Sequence, residues 1–240
     1  SLLVQKGIKE VVLSPGSRNA PLLVSVAREK RLKHHVIVDE RSAAFFALGI
    51  AQQTGQTVVL ICTSGTALLN YSPAVAEAYY QGVPLLVISA DRPAEWIDQD
   101  DSQTIRQQGA LCNFVKKSFQ LPTAITCEED HWYTNRLVNE AINLSQRDRK
   151  GPVHINIPLR EPLYGFQHES VTPERVIKTL QESPSLTVEI SQSLREEFFL
   201  CPKVMIIAGF HEPNPFLQQH IKLLASLPNV VILTENISNL

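Results

Sequence analysis

Apolar residues fall in short continuous runs, and each run is closed by proline, glycine, serine or aspartate. The runs are Glu10 to Leu13, Val36 to Val38, Thr57 to Ile61, Val83 to Ser89 and Val153 to Pro158. Between them lie segments of helical character: Pro21 to Ala27, the alanine-rich stretch from Ala43 to Ala51, Ala67 to Tyr80 and the amphipathic Asp130 to Gln146. Strands that are apolar throughout must be buried on both faces, so the alternation predicts an α/β domain: a parallel sheet covered by helices on both sides. Leu2 to Gly7 reads as the last turn of a helix closed by glycine, and Val115 to Gln120 as a strand whose lysines place it at an edge. From Leu163 to about Glu197 the chain is largely polar and interrupted by Pro173 and Pro184, which suggests a linker with one or two helices. Val204 to Ala208, Pro215 to Ser226 and Val230 to Leu233 then form one βαβ unit, and two strands in about 40 residues are too few for an independent open-sheet domain. The expected division is 1–165, a linker over 166–200, and the start of a second α/β domain over 201–240. The first residue is not methionine and the last residues follow an apolar run, so both ends are expected to be cut.

In parallel sheets of this kind ligands bind beyond the carboxyl ends of the strands. Those ends carry Ser17 and Arg18, then Glu40, then Thr63 to Thr66, then Asp91 and Arg92. Glu40 is read as sitting where a buried strand, Val36 to Val38, delivers it to the start of a buried helix. There it could cap its own helix, pair with Arg41, or hydrogen-bond a protonated ring nitrogen of a ligand. Ser17 or Asn19 is expected to cap the helix that follows. The polar stretch from Trp96 to Gly109 is long for a connection in a packed domain, which marks it as a functional loop or a solvated excursion. His154 alternates with apolar neighbours and is read as a core or interface histidine.

Composition narrows the chemistry. With 240 residues, 44% of them apolar, there is material for a real core, and the net charge of −2 comes without a basic stripe, so no nucleic-acid partner is expected. No apolar run approaches the roughly 18 residues that span a bilayer. Cys62, Cys112, Cys127 and Cys201 lack CxxC spacing and read as reduced thiols of a cytoplasmic protein, with no metal site. Neither GxGxxG nor GxxxxGK[ST] occurs, so no dinucleotide or nucleoside triphosphate cradle is evident.

Five ordered segments together resemble one family. They are Ser14-Pro15-Gly16-Ser17-Arg18-Asn19, Asp39-Glu40-Arg41-Ser42-Ala43, Thr63-Ser64-Gly65-Thr66-Ala67, Ala90-Asp91-Arg92-Pro93 and Gln103-Thr104-Ile105-Arg106-Gln107, extended by Gly151 to Pro158 and Glu161 to Gly165. The first 165 residues resemble the pyrimidine-binding domain of thiamine-diphosphate-dependent enzymes, a flavodoxin-like three-layer fold. Within them, the resemblance is to the menaquinone-pathway synthases that decarboxylate 2-oxoglutarate and add the product to isochorismate. It implies that Glu40 is catalytic, hydrogen-bonding N1′ of the cofactor's aminopyrimidine, that Gly65 adjoins the cofactor, and that Ser17, Arg18, Arg92 and Gln103 bind substrate. The family often has asparagine before that glutamine; here Ser102 has a shorter reach and is left out of the site. It further implies thiamine diphosphate and Mg²⁺ as cofactors and a dimeric or tetrameric homo-oligomer. The diphosphate and Mg²⁺ are held in that family by a Gly-Asp motif, and no Gly-Asp pair occurs in this sequence. The metal ligands are therefore expected outside it, and the chain alone is expected to be inactive. Two alternatives stand beside this reading: a non-catalytic dimerisation or ligand-sensing module, and another thiamine-diphosphate enzyme acting on 2-oxo acids.

Overall fold

The structure is a computed structural model that describes residues 1–164, 172–179 and 185–240. It divides into two compact units, Ser1–Gln181 and Glu182–Leu240. In the first unit six strands form one parallel sheet: β1 (Glu10–Leu13), β2 (Lys33–Val36), β3 (Val58–Cys62), β4 (Leu85–Asp91), β5 (Ser118–Gln120) and β6 (Val153–Pro158), in the order β2-β1-β3-β4-β6-β5. The helices are α1 (Leu2–Gln5), α2 (Ala20–Arg28), α3 (Glu40–Thr54), α4 (Thr66–Asn70), α5 (Ser72–Gln81) and α6 (Glu128–Gln146).

The period-2 geometry of the strands sorts the core into two halves. Val12, Val58, Leu60, Cys62, Leu85 and Val87 face α3, α4 and α5, while Val11, Val59, Ile61, Leu86, Ile88 and Ile155 face α1, α2 and α6. This is the α/β three-layer architecture expected from continuous apolar strands, and it places the strand carboxyl ends on one rim. The chain leaves β1 toward β2 on one side and β3 on the other, so the sheet order reverses between β1 and β3, where open α/β sheets bind ligands.

Several local expectations change. The strand read at Val36 to Val38 instead ends at Val36 and is an edge strand, with Val36 60% and Val38 76% exposed. Only its β1 side is paired, so it is not buried. Helix α3 is likewise one-sided: Ala43, Ala44, Ala47, Leu48 and Ala51 are buried, whereas Phe45 and Phe46 are exposed. The single helix expected from Ala67 to Tyr80 is two, α4 and α5, meeting at the fully buried Tyr71. Pro73 lies in the first turn of α5, and having no N–H it cannot accept a continuing helix from α4. Residues 172–178 lie along the first unit, where Lys6 Nζ and Asn143 Nδ2 donate to the Ile177 carbonyl and Asn135 Nδ2 donates to Glu174. The linker read over 166–200 falls outside the described residues at 166–171 and 180–184.

In the second unit helix α7 (Val188–Leu200) precedes β7 (Val204–Ala208), α8 (Pro215–Ala225) and β8 (Val230–Thr234), the two strands pairing in parallel. Among the described residues no helix is long and apolar enough to cross a membrane.

Candidate active site

The β1–α2 and β3–α4 turns meet at the reversal point. A Cβ on Gly16 would lie 2.5 Å from Thr63 Cβ, so only glycine allows the two turns to close on each other. Asn19 stands at the start of α2, yet neither it nor Ser17 caps that helix through its side chain. Asn19 folds back instead, its Oδ1 accepting from Gly16 N at 2.9 Å and its Nδ2 donating to the Ser14 carbonyl at 2.8 Å. The loop's own backbone needed a partner more than the helix did, and the asparagine satisfies both a donor and an acceptor of it.

Asp39 is the residue that caps α3, accepting the Ser42 N–H at 2.7 Å. Glu40 is thereby released from capping, and among the described residues it forms neither a side-chain hydrogen bond nor an ion pair, Arg41 included. It is half-buried. Burial pushes up the Cys62 thiol and the Tyr71 hydroxyl, and the negative charge of Glu40 adds to the rise in both. Tyr71 in turn donates to Ser14 Oγ at 3.2 Å. Nearby at the end of β3, the Thr63 and Ser64 hydroxyls are buried and lack a partner among the described residues. Buried hydroxyls are seldom left so, and a polar ligand beside them would satisfy them.

Four of the six predicted site residues, Ser17, Arg18, Arg92 and Gln103, line one cleft of about 370 Å³, together with Ser64, Ser102 and Glu161. Glu40 is not among the residues lining it. Gly65, at φ +82°, adjoins it through backbone, since a Cβ there would meet the Gln103 carbonyl at 3.0 Å. Ser102, left out of the site by sequence reasoning, lines the cleft too, and its carbonyl accepts from Arg92 Nη2 at 3.0 Å. Arg18 is buried, donating through Nη1 to the Leu159 carbonyl and through Nη2 to Glu161 Oε1, both at 2.9 Å. Arg92 pairs with Asp101 (Nε to Oδ2, 2.7 Å, off the N–H direction) and reaches Glu161 Oε1 from Nη1 at 3.5 Å.

Behind the cleft runs a buried polar network that sequence reasoning did not assign. Gln107 Oε1 accepts the Gly65 N–H at 2.7 Å, and its Nε2 donates to the Ala90 carbonyl and to Asn156 Oδ1. Sheet register sets Ser89, Asn156 and Gln120 side by side. Ser89 donates to Asn156 Oδ1, and Asn156 Nδ2 donates to Asp91 Oδ2 at 2.6 Å and to Gln120 Oε1 at 2.9 Å. Because the Ser89 proton is committed, His154 Nε2 is the donor to Ser89 Oγ at 2.8 Å, and Ser118 Oγ donates to Nδ1 at 2.9 Å. Burial lowers His154 to about 4 and raises Asp91 to about 6, the latter rise opposed by the Asn156 hydrogen bond and the charge of Arg18. The signal was present in the sequence: two polar residues two apart in an otherwise apolar strand, His154 and Asn156, mark an internal polar row.

A family model described as "Thiamine pyrophosphate enzyme, N-terminal TPP binding domain" matches residues 1–111. A 2-succinyl-5-enolpyruvyl-6-hydroxy-3-cyclohexene-1-carboxylate synthase of Porphyromonas gingivalis is 48% identical over 239 residues, and the synthase of the same name from Bacteroides thetaiotaomicron is 48% identical over 240. Along its whole length the chain is similar to these synthases, and over residues 1–111 to the N-terminal domain of thiamine pyrophosphate enzymes. Both alignments take in 100% of the chain but only 41% and 42% of the relatives, so the chain spans about two fifths of their length. Among solved structures, a thiamine diphosphate-dependent 4-hydroxybenzoylformate decarboxylase of Rhodococcus jostii RHA1 superposes with a TM-score of 0.69 at 20% identity, covering 87% of the chain and 38% of that structure. At that identity the likeness speaks for the fold of a thiamine pyrophosphate enzyme.

The residues present suit part of this cofactor, thiamine pyrophosphate being another name for thiamine diphosphate. A half-buried carboxylate released from capping and two buried hydroxyls without a partner among the described residues offer polar contacts for a nitrogen-bearing ring. Among the described residues no group of three or more histidine, cysteine, aspartate or glutamate side chains is placed to hold a metal ion.

Proposed function

We propose that the protein carrying this chain is a thiamine-diphosphate-dependent transferase that decarboxylates 2-oxoglutarate and adds the four-carbon unit to isochorismate. The observation that carries the reading is the cleft that gathers Ser17, Arg18, Arg92 and Gln103, two guanidinium groups and two neutral hydrogen-bonding side chains, at the reversal point of the sheet. Paired guanidinium groups suit carboxylate substrates, because each offers two parallel donors in a plane. The names of the relatives support the reaction class.

When bound, thiamine diphosphate supplies the electron sink for decarboxylation. Glu40 is assigned the proton shared with N1′ of the aminopyrimidine, a role suited to a carboxylate that its own helix does not use. Arg18 and Arg92 hold substrate carboxylate, and Ser17 and Gln103 orient it. Gly65 serves the cofactor through its missing side chain, since its N–H is already given to Gln107. Mg²⁺, with ligands supplied from beyond these residues, a homo-oligomeric state and a cytoplasmic location complete the proposal. The chain by itself is expected to be inactive.

The test is to supply the full-length protein with 2-oxoglutarate, isochorismate, thiamine diphosphate and Mg²⁺. Isochorismate should disappear with release of one carbon dioxide per turnover. Decarboxylation of pyruvate with isochorismate untouched would overturn the substrate assignment.

A further inference from the structure

The donors that should receive a ligand carboxylate already hold one. Glu161 Oε1 sits 2.9 Å from Arg18 Nη2 and 3.5 Å from Arg92 Nη1, so a single oxygen of the protein bridges both guanidinium groups of the cleft. Two roles are conceivable for it: a strut that aims the arginines, or an occupant of their ligand-facing donors.

The other contacts of the arginines decide between them. Arg18 is anchored by Nη1 to the Leu159 carbonyl and Arg92 by Nη2 to the Ser102 carbonyl, and Asp101 flanks Arg92 Nε. Both side chains therefore keep a fixed backbone partner when Glu161 is taken away. What Glu161 takes up is one further donor on each guanidinium, Nη2 of Arg18 and Nη1 of Arg92. Its own side chain is 68% exposed whereas that of Arg18 is 6% exposed, so Glu161 is free to turn out to water while Arg18 stays in place. An exposed partner of this kind holds its ion pair weakly, so a ligand that brings further contacts displaces it.

The geometry points to Glu161 as an internal stand-in for a ligand carboxylate: it bridges one donor of each arginine in the cleft and is displaced when a small carboxylate binds. This rests on reading the cleft as a carboxylate site. Its consequence for the protein is selectivity. A monoanion held only by its charge gains little by exchanging one carboxylate for another, whereas a ligand that adds contacts to Ser17 and Gln103 gains the difference.

The probe is succinate, titrated calorimetrically into the full-length protein and into its Glu161→Gln and Glu161→Ala variants, with dimethyl succinate as the uncharged control. Both variants should bind succinate about two- to five-fold more tightly than the unaltered protein. Dimethyl succinate should show no such gain, and adding Arg18→Gln should abolish it. Equal or weaker binding in the two variants makes Glu161 a strut and overturns the inference, as does failure of all forms to bind succinate. In turnover assays Glu161→Gln should lower KM for whichever of 2-oxoglutarate and isochorismate places its carboxylate in the cleft, leaving KM for the other near its original value. If succinate binding tightens but isochorismate is never consumed, the proposed reaction falls and the stand-in role stands; if isochorismate is consumed and binding does not tighten, only the stand-in role falls.

Discussion

At the residue scale the informative side chains are those whose obvious partner is taken by a neighbour. Glu40 looks like a helix cap in the sequence, and Asp39 does that work, accepting from Ser42. Replacing Glu40 with glutamine removes the carboxylate and keeps the shape, so turnover in the full-length protein should fall about 10²- to 10⁴-fold with little change in melting temperature. A rate within a factor of two would take Glu40 out of the mechanism. His154 offers a second measurement. Its folded pKa of about 4 lies below its usual 6.5, so its contribution is present above pH 6.5 and is lost as pH falls toward 4. Asp91, raised from 3.8 to about 6, acts in the opposite sense: its contribution is present below 3.8 and is lost as pH rises through 6. The two largely cancel between about pH 4 and 6, which hides each in the unaltered protein. The difference in unfolding free energy between the unaltered protein and His154→Gln should therefore grow by about 3 kcal/mol from pH 4 to 6.5. A difference that stays flat would mean that His154 does not titrate in this window. That His154 is a core residue was legible from its alternation with apolar neighbours. That Ser89 and Ser118 bracket its two ring nitrogens was not, because β4 and β5 become its neighbours only through sheet order.

At the element scale, the site depends on two turns closing on each other. Gly16→Ala would set a Cβ 2.5 Å from Thr63 Cβ, so the β1–α2 and β3–α4 turns must separate. The expected loss is about 1 to 3 kcal/mol in urea unfolding, with weaker binding of thiamine diphosphate by the full-length protein. An unchanged midpoint would mean that the loop yields without strain. Most strands were legible as runs of apolar residues, since burial on both faces leaves that signature. The errors came where burial was one-sided or a helix was interrupted. Val36 to Val38 has the composition of a buried strand but lies at the edge, and composition does not report which strand is outermost. Pro73 was the available signal for the break between α4 and α5, and its effect depends on where the helix starts.

At the scale of the whole molecule, the first unit leaves aromatic and apolar side chains exposed, with Phe45 46%, Val38 76% and Tyr80 66% exposed. If the full-length protein is a homo-oligomer that uses the α3 face, Phe45→Asp should shift it toward smaller species in sedimentation velocity without unfolding it, because Phe45 does not belong to the buried core. An unchanged sedimentation coefficient would place the subunit contacts elsewhere. The chain's order of motifs was enough by itself to indicate the α/β class, the resemblance to thiamine pyrophosphate enzymes and the acidic and basic residues at the strand ends, because those properties reside in local composition and spacing. The tertiary structure alone decided which of those residues share a cleft and that Glu161 lies between Arg18 and Arg92. The physical reason is that these are contacts across large sequence separations, set by strand order and register, and no local pattern in the chain encodes a partner more than a hundred residues away.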